Sequence, residues 1–265
     1  YTLSEFLSRR YSNSCRVIYA IVILYFILVV QLVPGFYVGS RAINILLLDD
    51  AAMNAPVEAG MRAVQIEYSA YVIGIFVMAI VTGIYTIVGG LKAVIVTDVL
   101  QSIMMIIAAV IVAWLTFSTV EIGGWSGLRA IDTAAVDAAK LHLYLPMDHP
   151  ARPWTGMLTG LMILHFNYWG ANQFIVQRAL SARSGKEART GIIVAGFLKL
   201  LIPFLSIGTG VAAFYLFTER MPGMAFDGDT AFPMLMRQVV VPIGAGLVGL
   251  VAAGLVGAIL SSIDS

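Results

Sequence analysis

The sequence predicts an all-α integral membrane protein, and three observations lead to that fold class. First, 60% of the 265 residues are hydrophobic, and the mean hydropathy is +0.90. Second, only 12% of the residues are charged, whereas soluble domains carry about 25%. Third, the apolar residues form continuous runs of about 20 residues, the length that a helix needs to cross the hydrocarbon core. A membrane β-barrel is not expected, because its strands are shorter and alternate in polarity.

The composition also excludes several functional classes. The formal net charge of +1 leaves no basic face for nucleic acid. Cys15 is the only cysteine, which excludes a disulfide framework and a cysteine-based metal centre. The histidines, at positions 142, 149 and 165, are too scattered to suggest a metal site. No nucleophile–base constellation is evident either, so we expect neither an enzyme nor a bound cofactor.

Six apolar segments are predicted to span the membrane as helices. They are Val17–Leu48, Ile66–Val88, Ala93–Phe117, Thr155–Val176, Ile192–Phe217 and Pro242–Ile263. The first segment is long, so it must tilt, bend at Pro34-Gly35 or continue outside the bilayer. The segments between spans alternate in charge, and the N-terminal end, Lys92 and the Arg178–Arg189 segment are positive. Because positive loops remain in the cytoplasm, both ends of the chain are predicted to be cytoplasmic.

Both ends of the sequence look cut. It opens on Tyr1 rather than on methionine, shows no signal peptide, and stops at Ser265 just after an apolar segment. We therefore expect a fragment of a larger, transporter-sized chain.

Ionisable residues at membrane depth are costly and are functional candidates. Those in or at the edges of the spans are Arg41, Glu67, Asp98, Lys199 and Asp264. Arg41 and Glu67 are near the outer ends of their spans, where we expect them to snorkel to the interface. Asp98 and Lys199 lie deeper. A hydrogen bond to a neighbouring helix is the structural alternative for Asp98, and snorkelling is the alternative for Lys199. Asp264 is too near the end of the sequence to interpret.

The fourth span has a composition that does not suit a lipid-facing helix. Glycines recur along it, and Asn167, Asn172 and Gln173 form a polar cluster. Non-helical backbone at this depth is tolerated only where it lines a cavity or is buried in protein. The sequence therefore predicts a broken helix here. Tyr168 and Trp169 beside the break suit either a substrate-binding wall or an interfacial aromatic belt.

The last span carries small residues at a spacing of four, which allows another helix to approach closely. They are Ala245, Gly249, Ala253, Gly257 and Ser261. Near its end, Ala258, Ser261, Ser262 and Ser265 share one face, because they are three or four residues apart. Two hydroxyls and a backbone carbonyl on this face suit a hard cation such as sodium. The alternative is that the serines hydrogen-bond back to their own helix.

Several motifs, in order along the whole chain, resemble the sodium:solute symporter family, which includes the sodium/glucose cotransporters. They are Ser4-Glu-Phe-Leu-Ser-Arg-Arg10, Gly89-Gly-Leu-Lys-Ala-Val-Ile-Val-Thr-Asp98-Val-Leu-Gln101, Asn167-Tyr-Trp-Gly-Ala-Asn-Gln-Phe-Ile-Val-Gln-Arg178, Thr230-Ala-Phe-Pro233 and Ala258-Ile-Leu-Ser-Ser262. The resemblance implies a LeuT-like core of two inverted five-helix repeats, of which this chain holds helices three to eight. Residues 1–118 would be the remainder of the first repeat, 119–153 an external loop, and 154–265 the first three helices of the second.

The resemblance also implies residue roles. The sodium ligands would be Ala258 through its carbonyl, Ser261 and Ser262. Asp98 would lie on the sodium path or at a second sodium site with Ser265. The substrate site or inner gate would comprise Lys199, Tyr168, Trp169, Asn172 and His165. In galactose-transporting members of the family, an asparagine that binds the sugar stands where this chain has His165. Galactose itself is therefore in doubt as the solute.

The expected function is sodium-coupled symport of a small polar solute, most readily a sugar or polyol, by alternating access. Sodium would be the coupling ion, and the protein would lie in the cell (inner) membrane as a multi-pass protein of the lipid bilayer. Two alternatives stay open: a symporter for an amino acid or carboxylate, and the symporter-like membrane domain of a sensor kinase.

Overall fold

The structure is a computed structural model that describes residues 2–47, 68–135, 139–142, 144–150, 153–222, 228 and 231–264. These residues are mostly helical and contain no strand, which confirms the predicted all-α class. Glu67 and Ser265 lie outside the described residues. The helices in chain order are α1 (Leu3–Arg10), α2 (Asn13–Tyr25), α3 (Val33–Leu47), α4 (Tyr68–Phe117), α5 (Gly124–Ala134), α6 (Thr155–Phe166), α7 (Gln173–Leu180), α8 (Gly185–Pro203), α9 (Thr209–Arg220), α10 (Ala231–Val239) and α11 (Ala245–Ile263).

Local sequence explains where several helices begin and deform. The side chains of Thr2 and Ser12 cap α1 and α2, each accepting a hydrogen bond from a backbone N–H three residues on. A π-helical segment, Phe26–Leu32, joins α2 to α3 just before Pro34. A second one, Phe204–Gly208, joins α8 to α9 just after Pro203. Proline removes a helical hydrogen bond, so departures from α geometry beside these residues are expected.

Within the described residues, four helical stretches are long and apolar enough to cross a membrane. They are Asn13–Ile43, Ser69–Phe117, Gly185–Arg220 and Ala245–Ile263. The predicted fourth span does not appear among them because it is divided. A π segment, Asn167–Ala171, follows α6, and Asn172 is extended (φ −70°, ψ 118°) before α7 begins. The predicted break in this helix is therefore confirmed, while the count of six spans stays a prediction.

Helix α4 contains two of the predicted spans. Gly90 interrupts it with a left-handed backbone (φ 58°, ψ −166°), a conformation that favours glycine. The side chains of Tyr85 and Gln101 interact across this point. In one straight helix these residues would lie about 24 Å apart. The chain therefore reverses at Gly90, and α4 consists of two arms, Tyr68–Gly89 and Leu91–Phe117.

The chain divides into two compact units. The first comprises Tyr1–Ile27 and Val136–Leu201, and the second comprises Leu28–Ala135 and Ile202–Ser265. Every described residue that is fully buried belongs to the second unit, where α3, α4, α9, α10 and α11 pack together. The described helices of the first unit expose apolar side chains on most faces, as helices that contact lipid do.

Helix α11 packs closely on the second arm of α4, but not along the predicted stripe. A Cβ at Gly254 would lie 2.7 Å from the Ala108 Cβ, and one at Gly257 would lie 3.3 Å from the Gln101 Cγ. In contrast, Gly249 has no neighbouring atom within 4 Å, and Ala245 and Ala253 are exposed too. Of the predicted stripe, only the end from Gly257 to Ser261 contacts α4. The next contact toward the start of α11 is made by Gly254 and not by Ala253, because the contacting residues are three positions apart there.

The expectation that Arg41 snorkels to the interface is wrong. Its side chain is only 2% exposed, and its guanidinium donates a hydrogen bond to the Tyr37 hydroxyl and lies over the Tyr37 ring. One turn further along α3, the carbonyl of Ile45 accepts a hydrogen bond of 3.1 Å from Arg237 of α10. Tertiary packing, which the sequence pattern does not reveal, thus encloses this end of α3.

Candidate functional site

The central feature of the second unit is a polar cluster between α11 and the two arms of α4. The Ser261 hydroxyl donates a hydrogen bond of 2.6 Å to Oδ1 of Asp98. The Tyr85 hydroxyl donates a hydrogen bond to Oδ2 of Asp264. Gln101 completes the group, since its side chain lies beside Tyr85 and interacts with it. We call Tyr85, Asp98, Gln101, Ser261 and Asp264 the inner polar cluster.

The close helix packing explains why these side chains meet. Gly257 lets the Gln101 side chain lie directly against α11. Because the second arm of α4 and α11 run antiparallel here, Asp98, about one turn before Gln101, faces Ser261, one turn after Gly257. A side chain at position 257 would meet the Gln101 Cγ at 3.3 Å, closer than an ordinary van der Waals contact.

The remaining predicted sodium ligands are close by on α11. The Ser262 hydroxyl donates a hydrogen bond of 3.0 Å to the carbonyl oxygen of Ala258, and Ser262 is exposed. This hydrogen bond within its own helix is the alternative to cation binding that we considered for the serine pair. It does not exclude cation binding, because a hydroxyl that donates its proton keeps lone pairs, and a carbonyl oxygen carries two. Ala258, Ser261 and Ser262 thus offer oxygens of the type that hard cations prefer. Their role as sodium ligands stays a prediction.

The inner polar cluster also contains a buried acceptor. The Oε1 atom of Gln101 is buried and accepts no hydrogen bond from any described residue. A buried polar atom in this situation favours a water molecule or a cation beside it. Ser265, which the resemblance assigns to a second sodium site, lies outside the described residues, so its place in the cluster stays a prediction.

Ala258 also borders an apolar cavity of about 450 Å³ within the second unit. The cavity lies among the second arm of α4, the start of α9, α10 and α11. Thr209 lines it, and the buried Thr209 hydroxyl has no hydrogen-bond partner among the described residues. Of the predicted sodium ligands, Ala258 alone is among the residues that line this cavity.

The first unit brings together three of the five predicted substrate residues. The Nζ of Lys199 lies 4.5 Å from the centroid of the Tyr168 ring and 5.1 Å from that of the Trp169 ring. The two rings are nearly perpendicular, with centroids 5.6 Å apart. Both distances are in the range of cation–π interactions. Tyr168 and Trp169 lie in the π segment after α6, so the break in this helix presents both rings to the α8 lysine.

His165 and Asn172 lie on either side of these rings. His165 is in the last turn of α6, three and four residues before Tyr168 and Trp169, and is exposed. The extended backbone of Asn172 ends the π segment, and its N–H donates a hydrogen bond of 2.9 Å to the Asn167 carbonyl. Nothing in the described geometry joins His165 or Asn172 to Lys199, so their roles stay predictions.

An ion pair ties two outer segments of the second unit together. Nε of Arg220, at the end of α9, lies 2.8 Å from Oε1 of Glu121 in the segment between α4 and α5. The hydrogen bond from Arg220 lowers the pKa of Glu121. Nearby, the Tyr215 hydroxyl donates a hydrogen bond of 2.7 Å to the buried carboxylate of Asp132.

Comparisons with known proteins identify the family of this chain. The model of the sodium:solute symporter family matches residues 42–265. The chain belongs to this family. The match covers every residue of the inner polar cluster. It also covers Lys199, Tyr168 and Trp169, which we call the Lys199 group. The name of the family describes sodium-coupled carriers of solutes, and the four long apolar stretches fit a multi-pass membrane protein.

Individual relatives carry the names of sugar and polyol carriers. The chain is 30% identical over its whole length to the sodium/glucose cotransporter of Vibrio parahaemolyticus, of which it covers 47%. It is 34% identical over 71% of its length to the sodium/mannose cotransporter of Bos taurus, covering 35% of that protein. It is 27% identical over its whole length to sodium/myo-inositol cotransporter 2 of Mus musculus, covering 39%. The chain thus spans about half the length, or less, of these relatives.

Sequence reasoning missed Tyr85 and the placement of Asp264. Tyr85 lies in an apolar span without any distinctive motif, and Asp264 could not be interpreted from its position. The available signal was that Asp264 follows the serine pair by only two residues on an oxygen-rich helix end. The role of Asp264 becomes evident only in the structure, where the reversal of α4 places Tyr85 beside it.

Proposed function

We propose that this chain is part of a sodium-coupled symporter that carries a small polar solute, a sugar or polyol, by alternating access. Its architecture would be LeuT-like, with two inverted repeats divided in the 119–153 segment. Residues 1–118 would belong to the first repeat and residues 154–265 to the second. The protein would lie in the cell (inner) membrane. The observation that carries the proposal is the Asp98–Ser261 hydrogen bond, which joins an intramembrane carboxylate to the serine pair of α11.

In this mechanism, sodium binds at the oxygens of Ala258, Ser261 and Ser262. Asp98 supplies the compensating negative charge, and Ser265 belongs with Asp98 to the sodium path or to a second site. Cation binding adds an electrostatic link between α11 and the helices that face it, which favours one arrangement of the bundle over the other. The membrane potential contributes about 2.3 kcal/mol per charge for each 100 mV.

The solute would bind to the Lys199 group. The Lys199 ammonium offers hydrogen-bond donors for hydroxyl groups, and Tyr168 and Trp169 offer faces on which the apolar side of a sugar ring can stack. His165 and Asn172 would add polar contacts. Tyr168 would move aside to release the solute inward. The names of the glucose, mannose and myo-inositol cotransporters among the relatives support a sugar or polyol as this solute.

Uptake by the full-length transporter in proteoliposomes tests the proposal. D-glucose, D-mannose, myo-inositol, proline and a small carboxylate such as acetate are each offered in sodium and in potassium media. We expect concentrative uptake of at least one sugar or polyol in sodium and little in potassium. Equal uptake in both media would contradict the sodium assignment.

A symporter for a carboxylate or amino acid is the second candidate, and one observation favours it. Among the described residues, no carboxylate pairs with Lys199, so an anionic solute could supply the missing partner. Uptake of proline or acetate without competition from any sugar would support this candidate over the first.

A further inference from the structure

The position of Lys199 along α8 shows that its charge remains at depth in the predicted span. The predicted span begins at Ile192, which is seven residues, or about 10 Å, before Lys199. A lysine side chain extends roughly 6 Å from its backbone, so Lys199 cannot reach the polar end of the helix by snorkelling. Its ammonium therefore needs a partner within the protein.

The rings of Tyr168 and Trp169 are the partner that the structure provides. The ammonium is within cation–π range of both rings at once. The π segment holds the two adjacent rings nearly perpendicular, so one cation can face both. We call these two side chains the aromatic platform.

Two groups cannot contact the same face of the aromatic platform at the same time. A sugar ring stacked on it and the Lys199 ammonium compete for the same ring surface. A solute hydroxyl that hydrogen-bonds the ammonium, however, gives Lys199 an alternative partner away from the rings. The solute thus both displaces the lysine and compensates for the lost ring contact.

We propose that Lys199 is a built-in, displaceable occupant of the aromatic platform, which favours solutes whose hydroxyls can draw its ammonium away. This inference rests on the proposed solute site and adds a selection rule to it. A matching hydroxyl is one that can hydrogen-bond the Lys199 ammonium. A solute that carries it replaces the ring contact of the ammonium with this hydrogen bond. A solute that lacks it must displace the lysine without compensation, so Lys199 acts against it.

The selection rule predicts effects of opposite sign for one substitution. In the full-length transporter, Lys199→Ala should weaken sodium-dependent uptake of the preferred sugar among D-glucose, D-mannose and myo-inositol. The loss of a charge-assisted hydrogen bond corresponds to about tenfold in half-saturation. For the deoxy analogue that lacks the matching hydroxyl, the same substitution should improve half-saturation about threefold, because the platform is released. Lys186→Ala, at the start of the same helix, is the matched control and should change neither.

A second measurement detects the ring contact without any solute. Lysines of the full-length transporter are reductively methylated with ¹³C, which preserves their positive charge, and Lys199→Arg identifies the Lys199 signal by its loss. We expect ring-current shielding of this signal in the wild type. The shielding should disappear in the Tyr168→Ala/Trp169→Ala double variant and persist in Tyr168→Phe/Trp169→Phe. Sodium plus the transported sugar should also move the signal to the unshielded position.

The outcomes separate this inference from the proposed function. If the wild type transports none of the three solutes with sodium, the sugar or polyol assignment fails. The shielding experiment would still test whether Lys199 contacts the two rings. If transport is sodium-dependent but Lys199→Ala weakens or leaves unchanged the uptake of every deoxy analogue, Lys199 is only a ligand and the displacement idea is wrong. A Lys199 signal that ignores removal of both rings, or that stays shielded with transported sugar present, would also overturn it.

Discussion

Several glycines of the second unit lie at close helix contacts, whereas those described in the first unit do not. In the second unit, a Cβ at Gly39, Gly74 or Gly254 would lie less than 3.0 Å from a neighbouring atom. In the first unit, no atom lies within 4 Å of such a Cβ at Gly160 or Gly191. The second unit is therefore closely packed helix against helix, whereas the glycines of the first unit face open space.

Their candidate sites differ in the same way. The inner polar cluster is enclosed between α11 and both arms of α4, and its side chains hydrogen-bond one another. The Lys199 group is more exposed, and Lys199 contacts the faces of the Tyr168 and Trp169 rings. Under the proposed roles, the more buried cluster would hold the small ion, and the more exposed group would admit a solute that must enter and leave.

The largest effect should come from testing the close packing itself. Gly254→Ala places a Cβ 2.7 Å from the Ala108 Cβ and 2.9 Å from the Met104 carbonyl oxygen. We expect it to destabilise the protein by about 1–3 kcal/mol, measured by denaturant unfolding of the purified transporter in detergent. Gly249→Ala, on the same helix with open space around it, is the control and should not destabilise. Equal stability of the two variants would show that the packing contrast is wrong.

Ser262→Ala tests the cation site without disturbing the packing, because the Ser262 hydroxyl bonds only within its own helix among the described contacts. We expect the sodium concentration for half-maximal uptake to rise about tenfold as one oxygen ligand is lost. Solute half-saturation at saturating sodium should change little. Ser206→Ala removes the same kind of bond, from a serine hydroxyl to the carbonyl of Ile202, and serves as the control. An unchanged sodium requirement in Ser262→Ala would remove Ser262 from the site.

Tyr168→Ala tests the solute side of the comparison. Removing one of the two rings should weaken solute half-saturation about threefold to tenfold and leave the sodium requirement unchanged. Tyr168→Phe retains the ring face and should remain close to wild type in solute half-saturation. A change in the sodium requirement alone would reverse the roles that we assign to the two sites.

The smallest effect concerns the outer ion pair of the second unit. Glu121→Gln should cost at most about 1 kcal/mol, because ion pairs near the surface contribute little. Arg220 lowers the pKa of Glu121 from its usual value of 4.5, so the pair stabilises the fold fully above that value. Its contribution is lost as the pH falls below 4.5 through the lowered pKa. The melting-temperature difference between wild type and Glu121→Gln should therefore shrink only at acidic pH, and a difference that persists at pH 2 would contradict this account.

Local sequence was sufficient to predict several features. The all-α class follows from long apolar runs, because a backbone in hydrocarbon must satisfy its own hydrogen bonds. The break in the fourth span follows from its polar and small residues. The reversal within α4, at Gly90, falls between the predicted spans Ile66–Val88 and Ala93–Phe117. The family was also recognisable, since its motifs are local strings with fixed order.

Contacts between distant segments could not be predicted in the same way. The burial of Arg41 depends on packing around α3, and the exposure of Ala245 and Gly249 depends on where α11 leaves its neighbour. The pairing of Tyr85 with Asp264 joins residues 179 positions apart. None of these leaves a periodic signal in the sequence.

The sequence by itself determined that this chain is a membrane-embedded helical protein of the sodium:solute symporter family, with Asp98, Lys199 and the serine pair as its chemically active candidates. Hydrophobicity and short motifs encode these properties residue by residue. Only the tertiary structure decided which of them meet. Asp98 reaches Ser261 because Gly254 and Gly257 let two helices touch, and Lys199 lies on Tyr168 and Trp169 because a π segment turns both rings toward it.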